Sequence, residues 1–463
     1  MTLNSDFISL ITGTLSDITD PAKLLDAITA TDPVVSLRVN PRKPAVVPWE
    51  GAEPVAWCEN GVYLPVRPLF TLAPELHQGR IYVQDASSMF IHLVIRQLCQ
   101  SSAPLTYMDA CAAPGGKTTA AIDALPAGSL VVANEFDPRR AGVLRENLVK
   151  WGYPDIIVTQ GDTAAFRRID GMFDIVAADV PCSGEGMMRK DPEAVSQWSP
   201  GLVDECVERQ RQIVSNLMAS LKPGGYFIYS TCTFNKEENE RMVEWMADNY
   251  GMESVSVDLP EESGILVSRP RNGMECYRFM PHLVRGEGLF MAVMRKPGDI
   301  TEHSSLNDNK KKKEKTRSNT RPDKITAQCE QWISEPHNYM LTVNNDLITA
   351  FPKHYLPQLD IIRRHCRVIQ AGVAVATVKG KDLIPEHALA MSPLLSKDAF
   401  PGVELTLEDA LTYLRRDSIK LPDNTDRGFV TVNYGGFPLG FVKNLGNRSN
   451  NLYPQGWRIL RPA

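Results

Sequence analysis

The chain has 463 residues, 43% hydrophobic and 23% charged, with 50 basic against 55 acidic side chains and a formal net charge of -5. Such a length exceeds one ordinary domain of roughly 100–200 residues, and the composition is that of a soluble globular protein with ample core. The charge balance excludes a globally basic polyanion binder, so any nucleic-acid surface has to be local.

The start, Met1-Thr2-Leu3-Asn4-Ser5-Asp6, lacks the basic segment and apolar core of a signal peptide. No later run approaches the ~20 apolar residues of a membrane helix, so a cytoplasmic protein without a membrane partner is expected. Nine cysteines, an odd number without framework spacing, indicate reduced thiols. Neither Cys-x-x-Cys nor His-x-x-x-His occurs, so no metal site is expected.

In chain order, residues 1–70 read as a small N-terminal helical or α+β domain, with Phe7, Leu10, Ile11, Leu24, Leu25 and Ile28 at helical spacing. The alternating segment Ser36 to Lys43 reads as a strand whose basic end forms a solvated edge. Residues 71–298 repeat strand, loop and helix, the pattern of an α/β domain with a parallel sheet. Candidate strands are Thr106 to Asp109, Leu130 to Asn134, Ile156 to Thr159, Phe173 to Ala178, Tyr226 to Ser230 and Leu289 to Met294. A helical stripe from Leu202 to Leu221 is expected to stop at Lys222-Pro223-Gly224-Gly225, and Asn235 with Glu238 reads as the capping pair of the next helix.

Residues 299–324, with Lys310-Lys311-Lys312-Lys313-Glu314-Lys315, read as a basic flexible linker. A small intermediate domain at 325–395 and a β-rich module at 396–463 follow. Gly372 to Val378 reads as a strand, and Gly428 to Phe441 as a hairpin turning at Gly435-Gly436. The tail residues Lys443, Asn444, Asn447, Arg448, Asn450, Asn451, Tyr453, Trp457 and Arg458 carry the chemistry of stacking on unpaired nucleotides, and an ordinary polar loop around a core Trp457 fits them equally.

The loop Asp109-Ala110-Cys111-Ala112-Ala113-Pro114-Gly115-Gly116-Lys117-Thr118 follows the first strand and opens a helix. It matches neither the Walker nor the dinucleotide pattern, yet its glycine pair lets backbone approach a ligand closely. Glu135 lies twenty positions beyond Gly115, the offset at which an acid holds ribose hydroxyls in doubly wound sheets, and Asp162 follows the third strand. Three successive strand ends thus suit a nucleoside-bearing cofactor, although either acid alone would read as a helix cap. The fourth strand delivers Asp179 and Cys182 in Asp179-Val180-Pro181-Cys182-Ser183-Gly184, and the fifth delivers Ser230-Thr231-Cys232-Thr233. Two thiols, a carboxylate and a nucleoside cofactor suggest covalent catalysis on a ring that needs a nucleophile, such as cytosine at carbon 6. Spacing does not choose between the cysteines.

Together these stretches resemble the Sun-type (Nop/Sun) RNA cytosine-5 methyltransferases, and within them the bacterial subgroup acting on small-subunit ribosomal RNA. Gly186-Met187-Met188-Arg189-Lys190-Asp191-Pro192, Asn235-Lys236-Glu237-Glu238-Asn239-Glu240 and the Gly-Phe-Pro-Leu-Gly tail carry the subgroup likeness. Val180 stands where alanine is more usual. The resemblance implies a Rossmann-like methyltransferase sheet flanked by a small N-terminal domain and a C-terminal PUA-like module. It further implies S-adenosyl-L-methionine held by Cys111, Ala112, Ala113, Pro114, Gly115, Gly116 and Lys117, with Glu135 on the ribose, Asp162 on the adenine and Asp179 between cofactor and base. By the same resemblance Cys232 is the nucleophile and Cys182 assists release. The implied partner is ribosomal RNA or the small ribosomal subunit, met by a monomer. An enzyme on tRNA would differ only in its target, while a ribosome-assembly protein without activity is the alternative that the intact set of Asp179, Cys182 and Cys232 argues against.

Overall fold

The computed structural model describes residues 3–45, 50–299 and 322–460. Asn4 and Asp20 start helices Ser5–Leu15 and Pro21–Ala30, each accepting backbone N–H groups of the first turn. Their apolar stripes, Phe7, Ile11, Leu15, Leu24 and Ile28, pack with Met188, Trp198, Phe234 and Met280 of the large domain. Strands Glu53–Val55, Cys58–Leu64, Val35–Val39 and Ile81–Val83 form a four-stranded sheet in that spatial order. The expected boundary at residue 70 therefore runs through this unit.

The basic stretch is solvated only in part: Pro41 and Arg42 are exposed, Arg38 and Lys43 are not. Arg38 is fully buried, pairs with Asp123 of helix Gly116–Ala124, and lies 4.7 Å over the Trp151 ring. Lys43 donates to the carbonyls of Gln78 at 2.8 Å and Lys150 at 2.5 Å, and burial pushes its ammonium down to about 7. Strand alternation alone could not reveal that these cations face a neighbouring domain.

The central sheet holds five parallel strands: first Thr106–Asp109, second Leu130–Glu135, third Ile156–Gln160, fourth Phe173–Asp179 and fifth Leu221–Thr231. Their spatial order is third, second, first, fourth, fifth, followed by Leu289–Arg295, Cys276–Phe279 and Leu266–Ser268 in antiparallel pairing. Order reverses between the first and fourth strands, which opens a crevice at their carboxyl ends. The register sets Asp109 beside Ala177 and Asp179 beside Ser230.

Two local expectations change. Helix Pro200–Leu217 ends before Leu221, which already begins the fifth strand, so Lys222-Pro223-Gly224-Gly225 lies in the irregular start of that strand. The Asn235–Glu238 pair forms a turn ahead of helix Glu240–Tyr250, whose cap position is Asn239. The Glu238 carboxylate accepts from Asn235 Nδ2 and, beyond this turn, from Ser183 and Gln210.

Of the expected linker, 300–321 lie outside the described residues. Beyond it, Val368–Ala371 pairs antiparallel with the third strand and extends the central sheet. Phe351, Tyr355, Leu359 and Ile362 enter the core cluster of Ile157, Val176 and Phe227. A separate sheet joins Tyr339–Asn344, Leu347–Pro352, Val373–Lys379 and Asp382–Pro385.

The C-terminal module pairs Gly402–Glu404, Gly428–Tyr434, Phe437–Asn444 and Ser449–Asn451, with Gly435 and Gly436 at φ +60° and +77° making the hairpin turn. That turn docks on the N-terminal unit, where Gln78 Nε2 donates to the carbonyls of Tyr434 and Phe437, both at 2.8 Å. Much of the tail is structural. Tyr453 is fully buried, Asn444 and Asn451 cap carbonyls of Thr425, Asp426, Tyr413 and Asp417, and Trp457 packs on His387. Asn447, Arg448, Asn450 and Arg458 remain exposed. Among the described residues no helix is long and apolar enough to cross a membrane.

Candidate active site

The first strand ends in Asp109, which is buried and accepts from Thr118 Oγ1 at 2.6 Å; burial pushes its carboxyl up to about 7. The loop after it is tied to the second strand. The N–H of Ala112 donates to the Asn134 carbonyl at 2.9 Å and that of Ala113 to Glu135 Oε2 at 3.3 Å, while Arg140 Nη2 and Asn147 Nδ2 hold the carbonyls of Ala113 and Pro114, each at 2.8 Å. Gly115 caps helix Gly116–Ala124 at φ +108°, a left-handed conformation suited to glycine. A side chain at Gly115 would meet Leu144 at 3.2 Å and one at Gly116 would meet Gln84 at 3.2 Å.

Glu135 is buried, and its other oxygen accepts from the Asp137 N–H at 3.0 Å. Asp162 is exposed and caps the short turn Thr163–Arg168, so its capping role is real. The Gly161 N–H bonds the Glu135 carbonyl at 3.0 Å, which brings both acids to one rim. Phe136, overlooked in the sequence, stands beside them with 69% of its surface exposed. Cys111 is held neutral because burial, then the nearby carboxylates, push its thiol far up.

Across the crevice, Asp179 accepts from Lys117 Nζ and Ser230 Oγ, both at 2.8 Å. Burial alone would lower the Lys117 ammonium, but Asp179, helped by Cys232, holds it above its ordinary range. Cys182 and Cys232, distant in sequence, bring their sulfurs to 3.3 Å, a contact between free thiols rather than a ~2.05 Å disulfide. The hydrogen bond to Cys232, reinforced by burial, raises the Cys182 thiol well above its usual range. Either sulfur can be the donor in that contact.

Behind the thiols lies a polar network in which sequence reasoning had named only Asn235 and Glu238, as a cap. Glu185 and Glu238 are fully buried. Glu238 accepts from the Ser183 N–H at 3.0 Å, the Ser183 hydroxyl, and Asn235 Nδ2 and Gln210 Nε2 at 2.7 Å each. Burial raises its carboxyl. Glu185 accepts from the N–H groups of Phe234 at 2.7 Å and Asn235 at 2.9 Å, from Asn235 Nδ2 at 2.9 Å and from Trp198 Nε1 at 3.0 Å. Their density of acids and amides was the available signal, but solvated surface explains such runs in most sequences.

Three family profiles match the chain in succession: the N-terminal domain of 16S rRNA methyltransferase RsmF over residues 3–86, 16S rRNA methyltransferase RsmB/F over 100–295, and the methyltransferase RsmF PUA domain over 400–459. Ribosomal RNA small subunit methyltransferase F of Escherichia coli O81 is 30% identical over 416 residues, covering 87% of this chain and 84% of the relative. The protein of that name from Aliivibrio fischeri is 29% identical over 439 residues, covering 91% and 90%. The crystal structure of a methyltransferase homologue from Pyrococcus horikoshii superposes with a TM-score of 0.51 and 25% identity, over 63% of this chain and 93% of that one.

Proposed function

This chain belongs to the ribosomal RNA small subunit methyltransferase F family, and from that premise we propose that it methylates carbon 5 of a cytosine in small-subunit ribosomal RNA through a covalent adduct of Cys232 with carbon 6. The observation that carries the proposal is the 3.3 Å approach of the Cys182 and Cys232 sulfurs beside Asp179, at the point where strand order reverses.

The residues present fit S-adenosyl-L-methionine. The backbone turn at Gly115 that opens helix Gly116–Ala124, the buried carboxylate of Glu135, the exposed ring of Phe136 and Asp162 suit in turn an amino-acid end, a ribose, an adenine face and an adenine amine. Cys111 to Lys117, Glu135, Asp162 and Asp179 would hold the cofactor, which supplies an electrophilic methyl group.

The chain's own side chains do the rest. Cytosine is held out of its stack, and the Cys232 thiolate adds to carbon 6, making carbon 5 nucleophilic. Asp179, fixed by Lys117 and Ser230, hydrogen-bonds the ring as charge develops. Once carbon 5 carries the methyl group, a base takes its proton and the carbon–sulfur bond breaks. Cys232 then leaves as thiolate, with the Cys182 sulfur 3.3 Å away to supply it a proton. Cys182→Ser, given S-adenosyl-L-methionine and small-subunit RNA, is expected to trap a protein–RNA adduct resolved on a denaturing gel, and Cys232→Ser to form none. The reverse pattern overturns the assignment, and an adduct formed only with tRNA moves the substrate to tRNA.

A further inference from the structure

The two buried glutamates are crossed. Glu185 departs from the loop that carries Cys182 but bonds Phe234 and Asn235, just beyond Cys232. Glu238 departs from the loop that carries Cys232 but bonds Ser183, just beyond Cys182. Each cysteine loop is thus held by a carboxylate from the other. The backbone adds direct ties, from the Gly186 N–H to the Cys232 carbonyl at 2.7 Å and from the Val180 N–H to the Ser230 carbonyl at 3.0 Å.

Stability alone is a poor explanation. Two carboxylates buried in one region repel, and Glu185, after burial itself, is one cause of the raised Glu238 carboxyl. Apolar side chains of similar volume would generally stabilise such a region at least as well. What carboxylates provide here is geometry: every oxygen of the pair accepts at least two donors in fixed directions.

Resting on the two-thiol chemistry proposed above, we infer that Glu185 and Glu238 are positioning residues that separately set the two sulfurs, Glu185 aligning Cys232 for attack and Glu238 aligning Cys182 for release. Neither touches the base. An amide at either position keeps one oxygen and turns an N–H₂ toward donors, so at least one loop bond is lost while side-chain volume is kept.

The test compares Glu185→Gln and Glu238→Gln in the full-length protein, with S-adenosyl-L-methionine and small-subunit RNA. Glu238→Gln is expected to lower turnover about tenfold or more while the steady-state fraction of covalent adduct rises, because release is slowed. Glu185→Gln is expected to lower turnover and adduct together, because attack is slowed. Affinity for S-adenosyl-L-methionine, read by calorimetry, should match the parent in both. Where a glutamine variant fails to fold, Ser183→Ala replaces Glu238→Gln and Trp198→Phe replaces Glu185→Gln, with the same signs. Activity losses that track melting temperature, with equal adduct fractions in both, overturn the inference. If Cys182→Ser forms no adduct, the covalent mechanism falls, but the clamp is still read from the thiols of the parent. Diamide, reduced to its hydrazine, oxidises Cys182 and Cys232 to a disulfide, and Glu238→Gln should slow that closure about tenfold; an unchanged rate overturns the clamp.

Discussion

Gly186 shows how tightly single residues are constrained near the thiols. A Cβ there would lie 2.7 Å from the Cys232 carbonyl oxygen and 2.9 Å from that of Gly288, so backbone would have to move. Gly186→Ala should displace Cys232 while leaving the cofactor rim at Glu135 intact. Single-turnover methylation is expected to slow by about one to two orders of magnitude, the effect of a misplacement near 1 Å, with S-adenosyl-L-methionine affinity unchanged in calorimetry. The run from Gly186 to Pro192 was legible in the sequence, but the need for glycine at its start was not, because both clashing carbonyls come from distant segments.

Among elements, Val368–Ala371 has the largest consequence. It covers the edge of the third strand, and Phe351, Tyr355, Leu359 and Ile362 beside it complete the core under the sheet. Buried side chains of that size stabilise by about 1.5–3 kcal/mol each, and an uncovered strand edge invites association. A fragment ending at residue 299 should therefore be less stable than the whole chain and aggregate on concentration, as read by light scattering and dye binding to exposed apolar surface. Composition placed a break before this element, because a polar run reads as a boundary whether or not the chain returns to the same sheet. The strands themselves were legible from short apolar runs closed by Asp109, Glu135 and Asp179, since buried parallel strands need such runs.

At the scale of the whole molecule, the N-terminal unit, the helix Pro138–Trp151 and the C-terminal module meet around buried histidines. His77 Nδ1 contacts the Tyr453 hydroxyl at 3.1 Å, and His387 packs edge-on to Tyr453 and Trp457, both at 5.2 Å. Burial lowers His77 to about 4 and His387 to about 3. An unfolded histidine titrates near 6.5, so the unfolded chain takes up protons first as pH falls. The stability these neutral rings contribute is complete above about pH 6.5 and is lost as pH falls toward their folded values. Against His387→Phe, the parent should lose about 2 kcal/mol more between pH 8 and pH 5, whatever the substitution costs at pH 8. Urea unfolding of both proteins across that range measures the difference.

The chain by itself determined the sheet, its glycine loop and the acids and thiols at the strand ends, because each depends on residues close in sequence: an apolar run, a breaker and a polar group at a fixed offset. Tertiary structure alone decided that Cys182 and Cys232 touch, that Arg38 is buried and Lys43 half-buried against neighbouring segments rather than solvated, and that Glu238 clamps a distant loop instead of capping its own helix. It also turned Asn444, Asn451 and Tyr453 inward. In each case burial and hydrogen-bond partners come from segments tens to hundreds of residues away, and local pattern carries no record of which surface a side chain will meet.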